Sequence, residues 1–117
     1  MKVIIAGSRG ISSFELVEKA IKDSGFGITE IVSGCAKGVD LLGEEYAKAH
    51  SIPVRKFPAD WKKHGKSAGA IRNKEMADYS EALIAIWDGK SPGTQNMIST
   101  AMKQHLKVYV AAHNSRG

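Results

Sequence analysis

Long apolar runs, paired cysteines and the common nucleotide fingerprints are all missing from this sequence, and each absence removes a class of protein. No apolar stretch approaches the ~20 residues a membrane-spanning helix needs. The first apolar run, Val3-Ile4-Ile5-Ala6, is too short for a secretion-signal core and has no cleavage-type flank. A cytoplasmic protein with no membrane partner is therefore expected. One cysteine, Cys35, cannot form an internal disulfide framework and fits a reducing compartment. The four histidines, at 50, 64, 105 and 113, show no close pairing, and Cys35 has no cysteine partner. Neither a metal site nor a resident cofactor is expected. No Gly-x-Gly-x-x-Gly follows the first strand. Gly65-Lys66-Ser67 and Gly89-Lys90-Ser91 imitate a P-loop, but the glycine that motif needs five positions earlier is Asp60 in one case and Ile84 in the other.

What is present describes a folded, basic chain. It has 117 residues, 43% of them apolar and 25% charged, enough for one core and too few for two. Residues 1–112 are expected to form one domain, with 113–117 as a polar tail. The formal net charge is +5 and the pI about 9.4. Arg55, Lys56, Lys62, Lys63, Lys66, Arg72 and Lys74 stand against the single acid Asp60 in one stretch, which accounts for the whole excess. Either these side chains converge on an anionic partner, or they form a solvated loop and helix face.

Short β-branched runs alternate with helix-period stretches. Lys2–Ala6, Thr29–Ser33, Val54–Phe57, Ala82–Trp87 and Lys107–Ala111 read as strands, with Ala82–Trp87 the most apolar and so central. Ser12 to Glu15 has the form of a capping box. Phe14, Val17, Ala20 and Ile21 then share one helix face, ended by Gly25 and Gly27. Val39, Leu42, Tyr46 and Ala49 fall at helical spacing. Residues 58–66 read as a loop, about Ala68–Tyr79 as a third helix, and Thr94–Gln104 as a fourth. The β-α alternation predicts an α/β fold: a single Rossmann-like three-layer domain with a five-stranded parallel sheet, order 3-2-1-4-5, and two helices on each face.

In such sheets ligands sit beyond the carboxyl ends of the strands. Here those ends carry Gly7-Ser8-Arg9-Gly10, Gly34 to Asp40, and Asp88 to Thr94. Glycine lets backbone N–H groups approach a phosphate, and helix N-termini behind them add partial positive charge. Several side chains there admit two readings. Ser8 is a phosphate-contacting hydroxyl rather than a nucleophile, because no Ser-His-Asp order accompanies it. Cys35 fills a tight turn rather than attacking a substrate. Asp40 either compensates a helix dipole or bonds a ligand hydroxyl. Trp61 either stacks on a base or covers the sheet edge, and Trp87 is read as core.

Together, Gly7-Ser8-Arg9, Ser33-Gly34-Cys35-Ala36-Lys37-Gly38-Val39-Asp40, Ile71-Arg72-Asn73 and Gly93-Thr94 resemble the SLOG superfamily. That superfamily includes the DNA-processing protein A (Smf) proteins and the Lonely Guy phosphoribohydrolases. The likeness runs from about Lys2 to Ala111 and is greatest to the YspA/cpYpsA-related branch of bacteria and phages. It implies a nucleotide-type ligand held by Gly7, Ser8, Arg9, Ser33, Gly34, Lys37, Gly38, Asp40, Arg72, Asn73, Gly93 and Thr94, with Arg9 and Arg72 on phosphate. It also implies a homo-oligomer, dimer or tetramer, for which Tyr46, Tyr79, Met97 and Met102 offer helix surface. The Lonely Guy enzymes carry a catalytic Glu three residues after their Gly-Thr, and here that position is Met97. No catalytic residue is therefore assigned. The expectation is a binding protein acting as sensor, sponge or carrier. The alternatives are a phosphoribohydrolase-type enzyme and, ranked last, a nucleic-acid binder using residues 55–74.

Overall fold

The computed structural model describes residues 1–113; the polar tail expected at 113–117 lies, apart from His113, outside them. Five strands, β1 (Lys2–Gly7), β2 (Glu30–Ser33), β3 (Val54–Lys56), β4 (Ala82–Trp87) and β5 (Lys107–Ala112), form one sheet in the order 3-2-1-4-5. Every pairing is parallel. Five helices connect them: α1 (Phe14–Ser24), α2 (Val39–Ala49), the four-residue α3 (Trp61–His64), α4 (Ala68–Tyr79) and α5 (Pro92–Lys103). The sheet is an α/β Rossmann-like arrangement, with strand order and helix layers as the sequence predicts.

Side-chain parity within the strands divides the core in two. Val3, Ile5, Ile31, Ala82, Ile84 and Ile86 point to one face, where Val17, Ala20 and Ile21 of α1 and Val39 and Ala47 of α2 cover them. Ile4, Ala6, Val32, Leu83 and Ala85 point to the other and meet Met76 and Ala77 of α4 and Met97 and Ala101 of α5. A strand buried on both faces must be apolar at consecutive positions, which is why β1 and β4 read as unbroken runs. The middle strand is β1; β4 lies beside it, inside β5, with Ala82 to Ile86 buried.

The structure corrects several local readings. Helix α1 starts one residue later than the Ser12 capping box requires. Ser13 is its N-cap, and no side chain caps it by hydrogen bond. Its end is as read, with Gly25 left-handed at φ 70°. Residues 58–66 are not a simple loop. Asp60 accepts the Lys63 N–H at 3.1 Å and starts α3, and a 3-10 turn, Gly65–Ser67, leads into α4. Trp87 is only half-buried, because it ends β4 where the sheet opens, and its Nε1 donates to the Ser91 carbonyl at 3.1 Å. Met97 is core, 1% exposed, and contributes no outer helix surface, whereas Met102 is 62% exposed.

Helix α2 lies so close to β1 that a Cβ at Gly43 would come within 2.8 Å of Ile5, itself fully buried. Gly43→Ala is expected to destabilise the fold by about 1–3 kcal/mol, the usual cost of overpacking. Gly93→Ala, where an added Cβ meets nothing within 4 Å, is expected to be near neutral. Urea unfolding followed by circular dichroism compares the two.

Candidate functional site

The parallel sheet delivers its loops to one edge, and hydrogen bonds lock them together there. The Ser8 N–H donates to the Ile86 carbonyl at 3.1 Å, and the Ser8 hydroxyl accepts the Asp88 N–H at 3.1 Å. The Asp88 carboxylate accepts the N–H groups of Lys90 at 2.8 Å and Ser91 at 2.9 Å. Those backbone bonds, Ser91 first and Lys90 next, pull its pKa down to about 2. The turn after β4 is thereby closed on itself and presents the N-terminus of α5 with Pro92 in its first turn. The first N–H groups of a helix have no partner inside it, so those of Gly93 and Thr94 are free for an acceptor.

The loop after β2 is built the same way. The Ser33 hydroxyl donates to Glu44 at 2.6 Å and accepts the Cys35 N–H at 3.1 Å. Cys35 takes a positive φ of 64°, so it does fill a turn, and burial pushes its thiol pKa up, away from the reactive thiolate. Gly38, at φ 79°, fits against the loop after β1, where a Cβ would lie 2.6 Å from the carbonyl oxygens of both Ser8 and Arg9. Gly7 is equally constrained, with the Ile86 oxygen 2.3 Å from an added Cβ.

Arg72 on α4 crosses to these loops. Its Nη1 donates to the Gly34 carbonyl and its Nε to Asn73 Oδ1 at 3.0 Å. Asn73 Nδ2 in turn donates to Asn96 Oδ1 at 2.9 Å and to the Gly93 carbonyl at 3.3 Å. A Cβ on Gly34 would strike both Arg72 Nη1, at 2.6 Å, and Asp40 Oδ2, at 2.9 Å. Glycine at 34 thus makes room for this meeting of opposite charges.

The result is a cleft of about 600 Å³ with an adjoining lobe of about 320 Å³. Gly7, Arg9, Asp40, Arg72, Asn73, Gly93 and Thr94 line the larger space. Gly34 and Lys37 line the smaller, which shares Arg9, Ala36, Trp61 and Arg72 with its neighbour. Ser8, Ser33 and Gly38 line neither; they brace the loops from behind. Lys66 and Asn96 also reach the larger space, and the sequence reading assigned neither to the site; Trp61, for which base stacking was one of two readings, reaches it too. Lys66 lies in the basic stretch noted there, whereas nothing in the spacing of Asn73 and Asn96 announces their pairing. The other cations of residues 55–74 do not converge on it. Lys56 pairs with Glu44 at 3.6 Å and Lys74 with Asp78 at 3.1 Å, while Arg55 stacks on Phe57 and Tyr79.

Asp40 is the one acid lining the cleft, and it is 5% exposed. Burial pushes its pKa up to about 6, although the Ala36 N–H, donated to Oδ2 at 3.2 Å, and the Arg72 charge oppose the rise. An acid whose pKa is higher folded than unfolded costs stability when ionised. That cost is absent below the ordinary value of 3.8, grows as pH rises toward about 6, and is complete above it. Asp40→Asn, which keeps an acceptor for the Ala36 N–H, is expected to be more stable than the parent at pH 8, by on the order of 2 kcal/mol, and no more stable at pH 4. Urea midpoints at the two pH values measure the difference.

Comparison with known proteins agrees with this architecture. The sequence profile of the YspA, cpYpsA-related SLOG family matches residues 1–64. The Gene 61 protein of Mycobacterium phage D29 is 31% identical over 92% of this chain and 93% of its own length. The SPbeta prophage-derived protein YoqJ of Bacillus subtilis (strain 168) is 46% identical over 35 residues, 30% of this chain and 20% of that one. The X-ray structure of DNA processing protein A (DprA) from Streptococcus pneumoniae superposes with a TM-score of 0.78 at 20% identity. It covers 97% of this chain, which spans 51% of the DprA chain. With a profile match over more than half of its residues and a phage relative aligned along nearly its whole length, the chain belongs to the YspA, cpYpsA-related SLOG family.

Proposed function

We propose that this protein binds a nucleotide or nucleotide-derived phosphate ligand in the strand-end cleft and holds it without efficient turnover, as a sensor, sponge or carrier. The observation that carries the reading is the placement of Arg9 and Arg72 in one cleft with the N-terminus of α5. The Arg9 guanidinium fork, the N–H groups Arg72 has left after bonding Gly34 and Asn73, and free helix N–H groups are donors that phosphate oxygens take. A volume of about 600 Å³ suits a small molecule of nucleotide size. The scatter of the remaining cations in residues 55–74 weighs against a nucleic-acid track, which needs a continuous basic surface.

The case against turnover rests on Met97. By the resemblance to the Lonely Guy motif it stands where those enzymes carry their Glu, and it is 1% exposed beneath the cleft, a side chain that can move no proton. One observation favours the hydrolase reading instead. Asp40 places a carboxyl group in the cleft with a pKa raised to about 6, within the range a general acid or base uses.

Mass spectrometry of compounds released by heating the purified protein is expected to show a phosphorylated nucleotide derivative. Arg9→Ala removes an exposed side chain and is expected to weaken its rebinding roughly ten- to hundredfold, the scale of one charged hydrogen bond. Protein that releases no such compound, and binds no nucleotide at millimolar concentration, rules the reading out. Incubation with nucleoside monophosphates, NAD and cyclic nucleotides, followed by chromatography, is expected to leave them intact. Turnover near one per second would instead establish the enzyme.

A further inference from the structure

Between β3 and α4 the chain makes a detour that the core does not require. No residue from Asp60 to Ser67 is buried, yet the segment is folded. The Asp60 carboxylate caps α3, and Gly65 turns the chain at a φ of 58° that other residues rarely adopt. What this detour presents is Trp61. The indole is 53% exposed, and its outer edge lies 3.7 Å from where a Cβ of Gly69 would stand. It borders both spaces of the cleft, together with Arg9 and Arg72. The larger one is also lined by Ala70, Met76, Pro92 and Met97, none of them charged.

We infer that Trp61 is the stacking platform for a flat aromatic ring, so that the cleft reads the base of its ligand through Trp61 and the phosphate through Arg9 and Arg72. The inference rests on the reading under Proposed function and narrows it to ligands that retain a nucleobase. The physical ground is the pairing of opposite needs. An indole left more than half exposed forfeits the burial that usually holds a tryptophan, and a base sliding against it restores that burial for both rings. Such stacking tolerates any base, because every base has a π-face. The concave position separates this role from docking of a protein surface, since the indole borders a small-molecule-sized space.

The test compares pairs that differ only by the base: AMP, GMP, CMP and UMP against ribose 5-phosphate. Affinities are read by calorimetry and ring contact by intrinsic fluorescence. At least one of the nucleotides is expected to bind and to quench emission. In Trp61→Phe, which leaves Trp87 as the sole indole, that quenching is expected to vanish while affinity stays within about fivefold, since a phenyl ring still stacks. Trp61→Ala is expected to weaken the nucleotide roughly ten- to hundredfold and to leave ribose 5-phosphate unchanged. Melting curves confirm that the variants are folded. Loss of nucleotide affinity below twofold in Trp61→Ala, or an equal loss for ribose 5-phosphate, overturns the inference. If Arg9→Ala still weakens binding roughly ten- to hundredfold in that case, the phosphate reading survives alone. If none of the four nucleotides binds the parent protein, the inference falls; if heating also releases no phosphorylated nucleotide derivative, the proposed function falls with it.

Discussion

The architecture of the site depends on one guanidinium. Arg72 leaves α4, bonds the Gly34 carbonyl in the loop after β2, and donates its Nε–H to Asn73, which itself bonds Asn96 and the Gly93 carbonyl at the start of α5. One side chain and its neighbour thus fix three separate segments relative to one another. The arrangement also accounts for the glycine at 34, where any Cβ would collide with the guanidinium, and for the tolerated burial of Asp40 beside it. A buried carboxylate with no cation nearby would be far costlier to ionise.

Much of the sheet could be read from the sequence because its physical causes are local. Strands covered on both faces must be apolar throughout, and strands joined by helices must run parallel, so β1 and β4 and the strand order followed from pattern alone. The end of α1 was legible for a similar reason: Gly25 adopts the left-handed conformation that glycine accepts without penalty. Its start was not. A Ser-x-x-Glu spacing permits a capping box but cannot say whether the chain enters the helix one residue later, as it does at Ser13.

Which residues share the strand-end edge was legible in the sequence; what each polar side chain bonds there was not. Glycine positions and arginines could be placed because strand ends share an edge. What each polar side chain does there depends on partners distant in sequence. Ser8 reads as a ligand hydroxyl, and its oxygen also accepts the N–H of Asp88, 80 residues away, a partner no local spacing announces. Ser33 likewise spends its hydroxyl on Glu44 and Cys35. Helix α3 escaped notice because four residues are too few to carry a period, and because its polarity matched that of a loop.

The separation between α3 and the core has an evolutionary corollary. Core positions are bound to one another by packing, so a change at one demands changes at others. Residues 60–67 carry no such obligations, as none of them is buried. Insertions, deletions and exchanges of aromatic for polar residues can accumulate there at little cost to folding. Divergence among relatives of this fold should therefore concentrate in that stretch, and ligand preference can drift from one lineage to the next while the scaffold beneath it stays the same.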